Sequence, residues 1–284
     1  RVAGSNPAAP TTMNGIKILL IKLIITIGKN TLLGRGKLRK ILVFFVEKIV
    51  FSNSSYDLSK PLFKLKYYDF YINFYGDKKS GTKLYFQRSE NKELNFLKNK
   101  IKNNQIFIDI GAYIGMYSLN LANLNNKYKK IKVISIEPNH ISFQRLKENF
   151  ELLKKKNKYV KNTYNLENVA ITNENSLSSI DMSENYANSK ITNKIIKNHP
   201  KVRTKPLKEI INKYNIKSIF CIKIDTEGYE HKILSNFFKD IKKNLFPKYL
   251  IVEHNNSKRY SLTDRLIKKY KYKIYFTTNS NYIY

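Results

Sequence analysis

Tryptophan is absent from these 284 residues, cysteine occurs once, histidine four times, and acidic side chains are outnumbered 21 to 53 by lysine and arginine. Each shortage excludes something. A single cysteine, Cys221, rules out an intrachain disulfide and any cysteine metal cage, and its place in an apolar segment reads as an inert core thiol. The four histidines show neither H-x-x-x-H nor H-E-x-x-H spacing, so no zinc site is expected. No apolar run is long enough to cross a bilayer: Ile16 to Ile27 is broken by Lys17 and Lys22, and it lacks the small-residue cleavage site of a signal peptide. The expected location is therefore cytoplasmic, with peripheral membrane contact as the variant discussed below.

The shortage of acids leaves a formal charge of +32. A charge of that size suggests a nucleic-acid or anionic-membrane binder. The composition supplies a simpler reading. The chain is crowded with Lys, Asn, Ile, Tyr and Phe, which all have A/T-rich codons, and its lysines are scattered instead of gathered on one motif. Genome bias alone produces that profile, leaving weak, salt-sensitive attraction to polyanions as its consequence. A 42% hydrophobic share is enough for a real core.

Against this background Phe107 to Gly115 stands out. It reads as a short apolar strand ending in Asp109, followed by a glycine turn through Gly111, Ala112, Tyr113 and Gly115 into a helix from Met116. A second strand, Lys132 to Ile136, ends in Glu137, twenty-two residues past Gly115 (137 minus 115). An acid there is placed to hold ribose hydroxyls. The glycine spacing, G-x-x-x-G with Tyr113 at the position a pyrophosphate must approach, argues against a dinucleotide, and Asp109 would repel one. Both features suit a cofactor with an ammonium and a sulfonium, S-adenosylmethionine. Asp109, Gly111 and Gly115 are expected at its methionine end, Glu137 at the ribose, Pro138 and Asn139 beside the adenine, and Ala170 lining the adenine pocket.

A third apolar strand, Ile219 to Ile224, runs into Asp225-Thr226-Glu227-Gly228-Tyr229-Glu230. With Lys223 in front, this resembles the K-I-D-x-E-G-x-E signature of FkbM-type S-adenosylmethionine-dependent methyltransferases. Asp109 to Gly115 is similar to that family's D-x-G-A-N-x-G, and Glu137-Pro138-Asn139 to its E-P-N. Tyr113 stands where the family usually has Asn, and Lys208 where many members have an acid. The resemblance covers about Leu38 to Tyr284 and implies O-methylation of a hydroxyl, often on a sugar, glycan or natural product.

The alternation of strands and helices from Ile106 predicts strands near 106–110, 132–136, 168–171, 218–224, 248–253, 272–276 and 282–284. This is an α/β fold, a Rossmann-like class I methyltransferase sheet with helices on both faces and an antiparallel last strand. Ligands in such sheets lie beyond the carboxyl ends of the strands. Asp225 and Glu227 are therefore the expected general base or acceptor-orienting groups, with Glu253 and His254 facing the same edge. Asp225, Glu227 and Glu253 are also the oxygen donors a Mg²⁺ ion would use, although no metal is expected. Asp225 as a helix cap, and Glu227 and Glu230 as first-turn acids, are the purely structural alternatives.

Three regions divide the chain: residues 1–12, a translated leader foreign to the fold, with Met13 as the expected start; 13–100, N-terminal helices and a small β-hairpin; and 101–284, the methyltransferase domain. The leader reading rests on Gly4-Ser5-Asn6-Pro7, which the common core of a tRNA T-arm would encode. Two amphipathic helices are expected across residues 16–50, packing on the catalytic domain or a partner; a basic anchor on an anionic bilayer is the sharper alternative. Leu62 to Gln87 predicts a hairpin turning at Gly76-Asp77, and Asn173 to Asn198 a polar substrate-side loop. Two functions of other classes remain: an RNA ribose methyltransferase docking through its basic surface, and a non-catalytic cofactor-fold module binding a partner through residues 13–60.

Overall fold

The computed structural model describes residues 14–30, 36–50, 60–75, 92–181, 190–192, 195–253, 258–278 and 280–284. The leader, the Gly76-Asp77 turn, His254 and part of the 173–198 segment lie outside these residues. The chain divides between Ser89 and Glu90 into two compact units.

The first unit holds α1 (Gly15–Asn30), α2 (Gly36–Val50) and an antiparallel hairpin of β1 (Phe63–Tyr67) and β2 (Phe70–Phe74). The hairpin turns at Tyr68 and Asp69, ahead of the glycine turn expected from the sequence. Tyr68 takes the left-handed backbone region (φ 53°) that glycine usually fills, so the turn carries no sequence flag. Stacked Phe63 and Phe74 rings close its open end.

The second unit begins with α3 (Lys92–Lys100) and continues as β3 (Ile106–Ile110), α4 (Met116–Ala122), β4 (Lys132–Ile136), α5 (His140–Lys156) and β5 (Tyr164–Glu167). A side sheet follows, made of β6 (Ala170–Thr172), β7 (Ser176–Asp181), β8 (Lys190–Ile191) and β9 (Lys201–Pro206). The chain returns through α6 (Leu207–Lys213), β10 (Cys221–Ile224), α7 (Glu230–Asp240), β11 (Tyr249–Glu253), α8 (Lys258–Lys269), β12 (Phe276–Thr277) and β13 (Asn281–Ile283).

The main sheet has the order β12-β13-β11-β10-β3-β4-β5. Its strands from β11 through β10, β3 and β4 to the edge strand β5 are parallel, and β13 runs antiparallel to β11. Strand order reverses at β3, whose neighbours are β4 and β10, and this switch point opens a crevice at the carboxyl edge. The result is the Rossmann-like methyltransferase sheet. One face buries Ile108, Ile110, Ile222, Ile224, Leu250 and Val252 under residues of α6, α7 and α8. On the other, Phe96 of α3 meets Tyr249, and Phe150 of α5 stacks on Tyr164. Cys221 is fully buried in β10, and burial pushes its thiol well above its ordinary pKa, as suits an inert core group.

Three sequence expectations need correction. The third core strand is Tyr164–Glu167, earlier than 168–171; the apolar Val169-Ala170-Ile171 run belongs to the turn and to the side sheet. The Asn173–Asn198 segment is not a plain loop, because Ser176–Asp181 pairs with β9. Residues 272–275 form no strand; β12 starts at Phe276.

Candidate functional site

The cofactor side is built by the turn after β3. Gly111 has φ +77°, and a β-carbon there would lie 1.8 Å from the Asp225 carbonyl oxygen, so this turn is closed to any side chain. Gly115, at φ +93°, is needed for close packing between helices. Its missing β-carbon makes room for Leu146 of α5 and Leu119 of α4, not for the strand. Tyr113 also occupies the left-handed region (φ 51°), which asparagine tolerates better than tyrosine.

Glu137 ties the two halves of the crevice together. Its carboxylate accepts hydrogen bonds from the Tyr113 amide (2.8 Å) and the Asn139 amide (2.9 Å). Burial pushes its pKa up to about 7, against the lowering effect of those two donors. Each oxygen retains a lone pair for a ribose hydroxyl. Asn139 is committed elsewhere: its side chain caps α5 by accepting from the Ile141 and Ser142 amides. Pro138 lies in the same turn, its carbonyl held by Asn168. Ala170, assigned above to the adenine pocket, sits instead in the side-sheet core with Ile180 and Val202. That expectation followed from the misplaced third strand.

Asp109 is only 1% exposed. One oxygen accepts from Ser118 (2.6 Å), which in turn accepts from Ser135 (2.7 Å). The other oxygen has no hydrogen-bond partner and faces the Lys223 ammonium at 3.8 Å. Burial raises the proton affinity of Asp109 and Lys223 opposes it. A buried carboxylate oxygen still short of a donor, at the strand tip where the crevice opens, fits a cofactor that presents an ammonium. Asp109, the Gly111–Gly115 turn and Glu137 are the residues that would hold S-adenosylmethionine.

A cluster of acids lies one strand over. Asp225 and Glu227 follow β10 and Glu253 ends β11; one carboxylate oxygen from each falls within 4.8 Å of the others. Lys223 donates to Asp225 at 3.1 Å. Burial pulls the Lys223 ammonium down, but Asp225 and Asp109 outweigh it and hold it charged. Glu253 is pushed up to about 8, by burial first and then by the charges of Asp225, Glu227 and Glu230. The three carboxylates form the oxygen-donor set of a hard-cation site, with a lysine already on one of them. His254, grouped with them from the sequence, lies outside the described residues.

Three supporting residues escaped the sequence reading, and a fourth, Glu230, was read only as a first-turn acid. Ser118 and Ser135 orient Asp109. Asn168 donates to the Glu137 and Pro138 carbonyls. Glu230 turns back to accept from the Thr226 amide and hydroxyl and the Gly228 amide, fixing the loop in which Glu227 takes φ 54°. Its partner four residues upstream was the available signal, a variant of the capping box.

The methyltransferase FkbM domain matches residues 109–274, more than half of the chain. No curated protein matches the sequence significantly. Among solved structures, the methyltransferase FkbM from Methylobacillus flagellatus KT aligns with TM-score 0.46 and 18% identity, over 65% of this chain and 44% of that one. The chain thus spans less than half of that protein. The precorrin-6y C5,15-methyltransferase from Geobacter metallireducens GS-15 aligns with TM-score 0.41 and 11% identity, over 69% and 87%. A Streptococcus mutans protein solved in complex with SAH aligns with TM-score 0.39 and 13% identity, over 69% and 96%. The turn after β3, the acid ending β4 and the K-I-D-T-E-G-Y-E segment after β10 fall where the FkbM domain matches, and the chain belongs to the FkbM family of S-adenosylmethionine-dependent methyltransferases.

Proposed function

We propose that the protein is an O-methyltransferase acting on a hydroxyl of a sugar, glycan or natural product. The observation that carries this is the carboxylate cluster of Asp225, Glu227 and Glu253 beside the cofactor crevice. S-adenosylmethionine, which Asp109, the Gly111–Gly115 turn and Glu137 would hold, would supply the electrophilic methyl group. An alcohol is a weak nucleophile until its proton can leave, and a carboxylate within hydrogen-bond reach takes that proton as the oxygen attacks. Several acids together also suit a polyhydroxylated acceptor, each holding one hydroxyl in line with the methyl group. Lys223 keeps Asp225 paired, and the raised proton affinity of Glu253 supports it as a group that receives a proton. Methylation of a base amine fits poorly: Asp225-Thr226-Glu227-Gly228 stands where those enzymes carry an N/D-P-P-Y/F tetrad.

The test is transfer of label from S-adenosylmethionine to fractionated cell extract. Label in an ether linkage on glycan or small-molecule fractions is the expected result. Label on RNA ribose would move the nucleic-acid reading into first place. Cofactor binding with no acceptor in any fraction would leave a binding module.

A further inference from the structure

The N-terminal helices carry an inference that does not depend on the proposed reaction. Each helix has two apolar sides. One side is buried: Ile21 and Ile25 of α1, and Val43, Val46 and Val50 of α2. The other side is left outward. On α1, Ile16 is 74% exposed and Leu19 69%, and Leu20, Leu23 and Ile27 extend the same row at i, i+3, i+4, i+7 and i+11. On α2, Phe44 is 59% exposed, with Phe45 and Ile41 beside it. A helix facing water on its outer side carries polar residues there; a contiguous apolar row marks a surface that meets something apolar.

Charge identifies what that is. Residues 15–50 contain eight lysines and arginines and one acid, Glu47. At about 100° per residue, Lys17 and Lys22 lie about 60° beyond the two edges of the α1 row. Lysines on both flanks set positive charge alongside the apolar row, with the Lys22 ammonium 5.3 Å from the centre of the Phe63 ring in this structure, and basic flanks beside an apolar row are the arrangement of a helix lying in a membrane interface. A second copy of the chain would bring the same basic flanks against each other. Among the described residues no helix is long and apolar enough to cross a membrane, so contact must be in the plane of the surface. We infer that α1 and α2 form a docking surface for an anionic lipid bilayer, with the outer apolar rows among the acyl chains and the flanking lysines at the phosphates.

The absence of tryptophan provides the probe. In the full chain, Leu23→Trp places a single fluorophore in the α1 row. Vesicles of phosphatidylcholine mixed with phosphatidylglycerol should shift its emission to the blue and bind the protein about tenfold or more tightly than phosphatidylcholine alone, with binding falling as salt rises. Leu19→Glu with Leu23→Glu should abolish sedimentation with the anionic vesicles, and Lys17→Glu with Lys22→Glu should remove the preference for them. S-adenosylhomocysteine binding, measured on each variant, shows that the fold survives. Three results overturn the inference. Emission already blue without vesicles, at every protein concentration, would mean that the row packs on the rest of the chain. A shift growing with protein concentration, together with dimers in ultracentrifugation, would identify a second copy. Emission that stays red with anionic vesicles would mean no docking at all.

Discussion

Raising the pH through neutrality should tighten cofactor binding, and Glu137 sets the size of the effect. Its carboxylate is buried between two backbone N–H donors with a pKa of about 7. Ribose hydroxyls donate to the ionised form. If only that form binds, affinity follows the ionised fraction, about one tenth at pH 6 and about nine tenths at pH 8, a gain of about tenfold. The apo protein should respond in the opposite sense. A carboxyl whose folded pKa lies above its unfolded value of 4.5 stabilises the fold fully below that value, and the contribution is lost as pH rises to about 7. Glu137→Gln cannot ionise, and its amide nitrogen must face one of the two N–H groups. The variant should bind about 10- to 150-fold more weakly, corresponding to about 1.5–3 kcal/mol for a lost charge-assisted hydrogen bond, and its affinity should be flat with pH. Calorimetric titration of S-adenosylhomocysteine at pH 6, 7 and 8 measures both. A wild-type affinity that does not change with pH, or a variant with wild-type affinity and slope, would refute the reasoning.

Four further outcomes are expected. Asp225→Asn keeps an acceptor for Lys223 but cannot take a proton; it should retain cofactor affinity and lose about 10²-fold or more in turnover, while EDTA on the wild type, followed by Mg²⁺, separates a base from a metal ligand. Turnover should rise with pH through about 8 as Glu253 ionises, and Glu253→Gln should flatten that limb of the profile; an unchanged profile removes Glu253 from the proton path. Lys223→Met strands the buried Asp109 and should cost about 3–5 kcal/mol in urea unfolding near neutral pH, less at acid pH where the carboxyl protonates, whereas a loss under about 1 kcal/mol would show that the lysine is not holding the acids. Gly111→Ala drives a β-carbon into the Asp225 carbonyl and should lower unfolding stability by more than about 2 kcal/mol; normal melting would mean that the turn moves freely.

The sequence by itself determined the parts whose signals are local. A strand, a glycine turn and a helix follow one another in Phe107 to Ala122, and the acid at the end of the next strand lies within reach of that unit, so spacing alone located Asp109, Gly111, Gly115 and Glu137. Asp225 and Glu253 were legible for the same reason, as acids ending apolar strands. The third strand was not, because edge strand Tyr164–Glu167 is half-buried and polar while the stronger apolar signal, Val169 to Ile171, belongs to the side sheet. That sheet was itself hidden: Ser178, Ser179 and Thr204 are buried polar residues whose hydrogen bonds only appear once the strands pair. The tertiary structure alone decided the charge arrangement of the site. Strand register sets Ser135, Asp109 and Lys223 side by side across β4, β3 and β10. Nothing local relates these residues. They meet because the order of a parallel sheet is set by crossover connections packing helices on its faces, which bring distant segments of chain together. A lysine that reads as one cation among many thereby becomes the buried counter-ion of Asp109 on one side and Asp225 on the other.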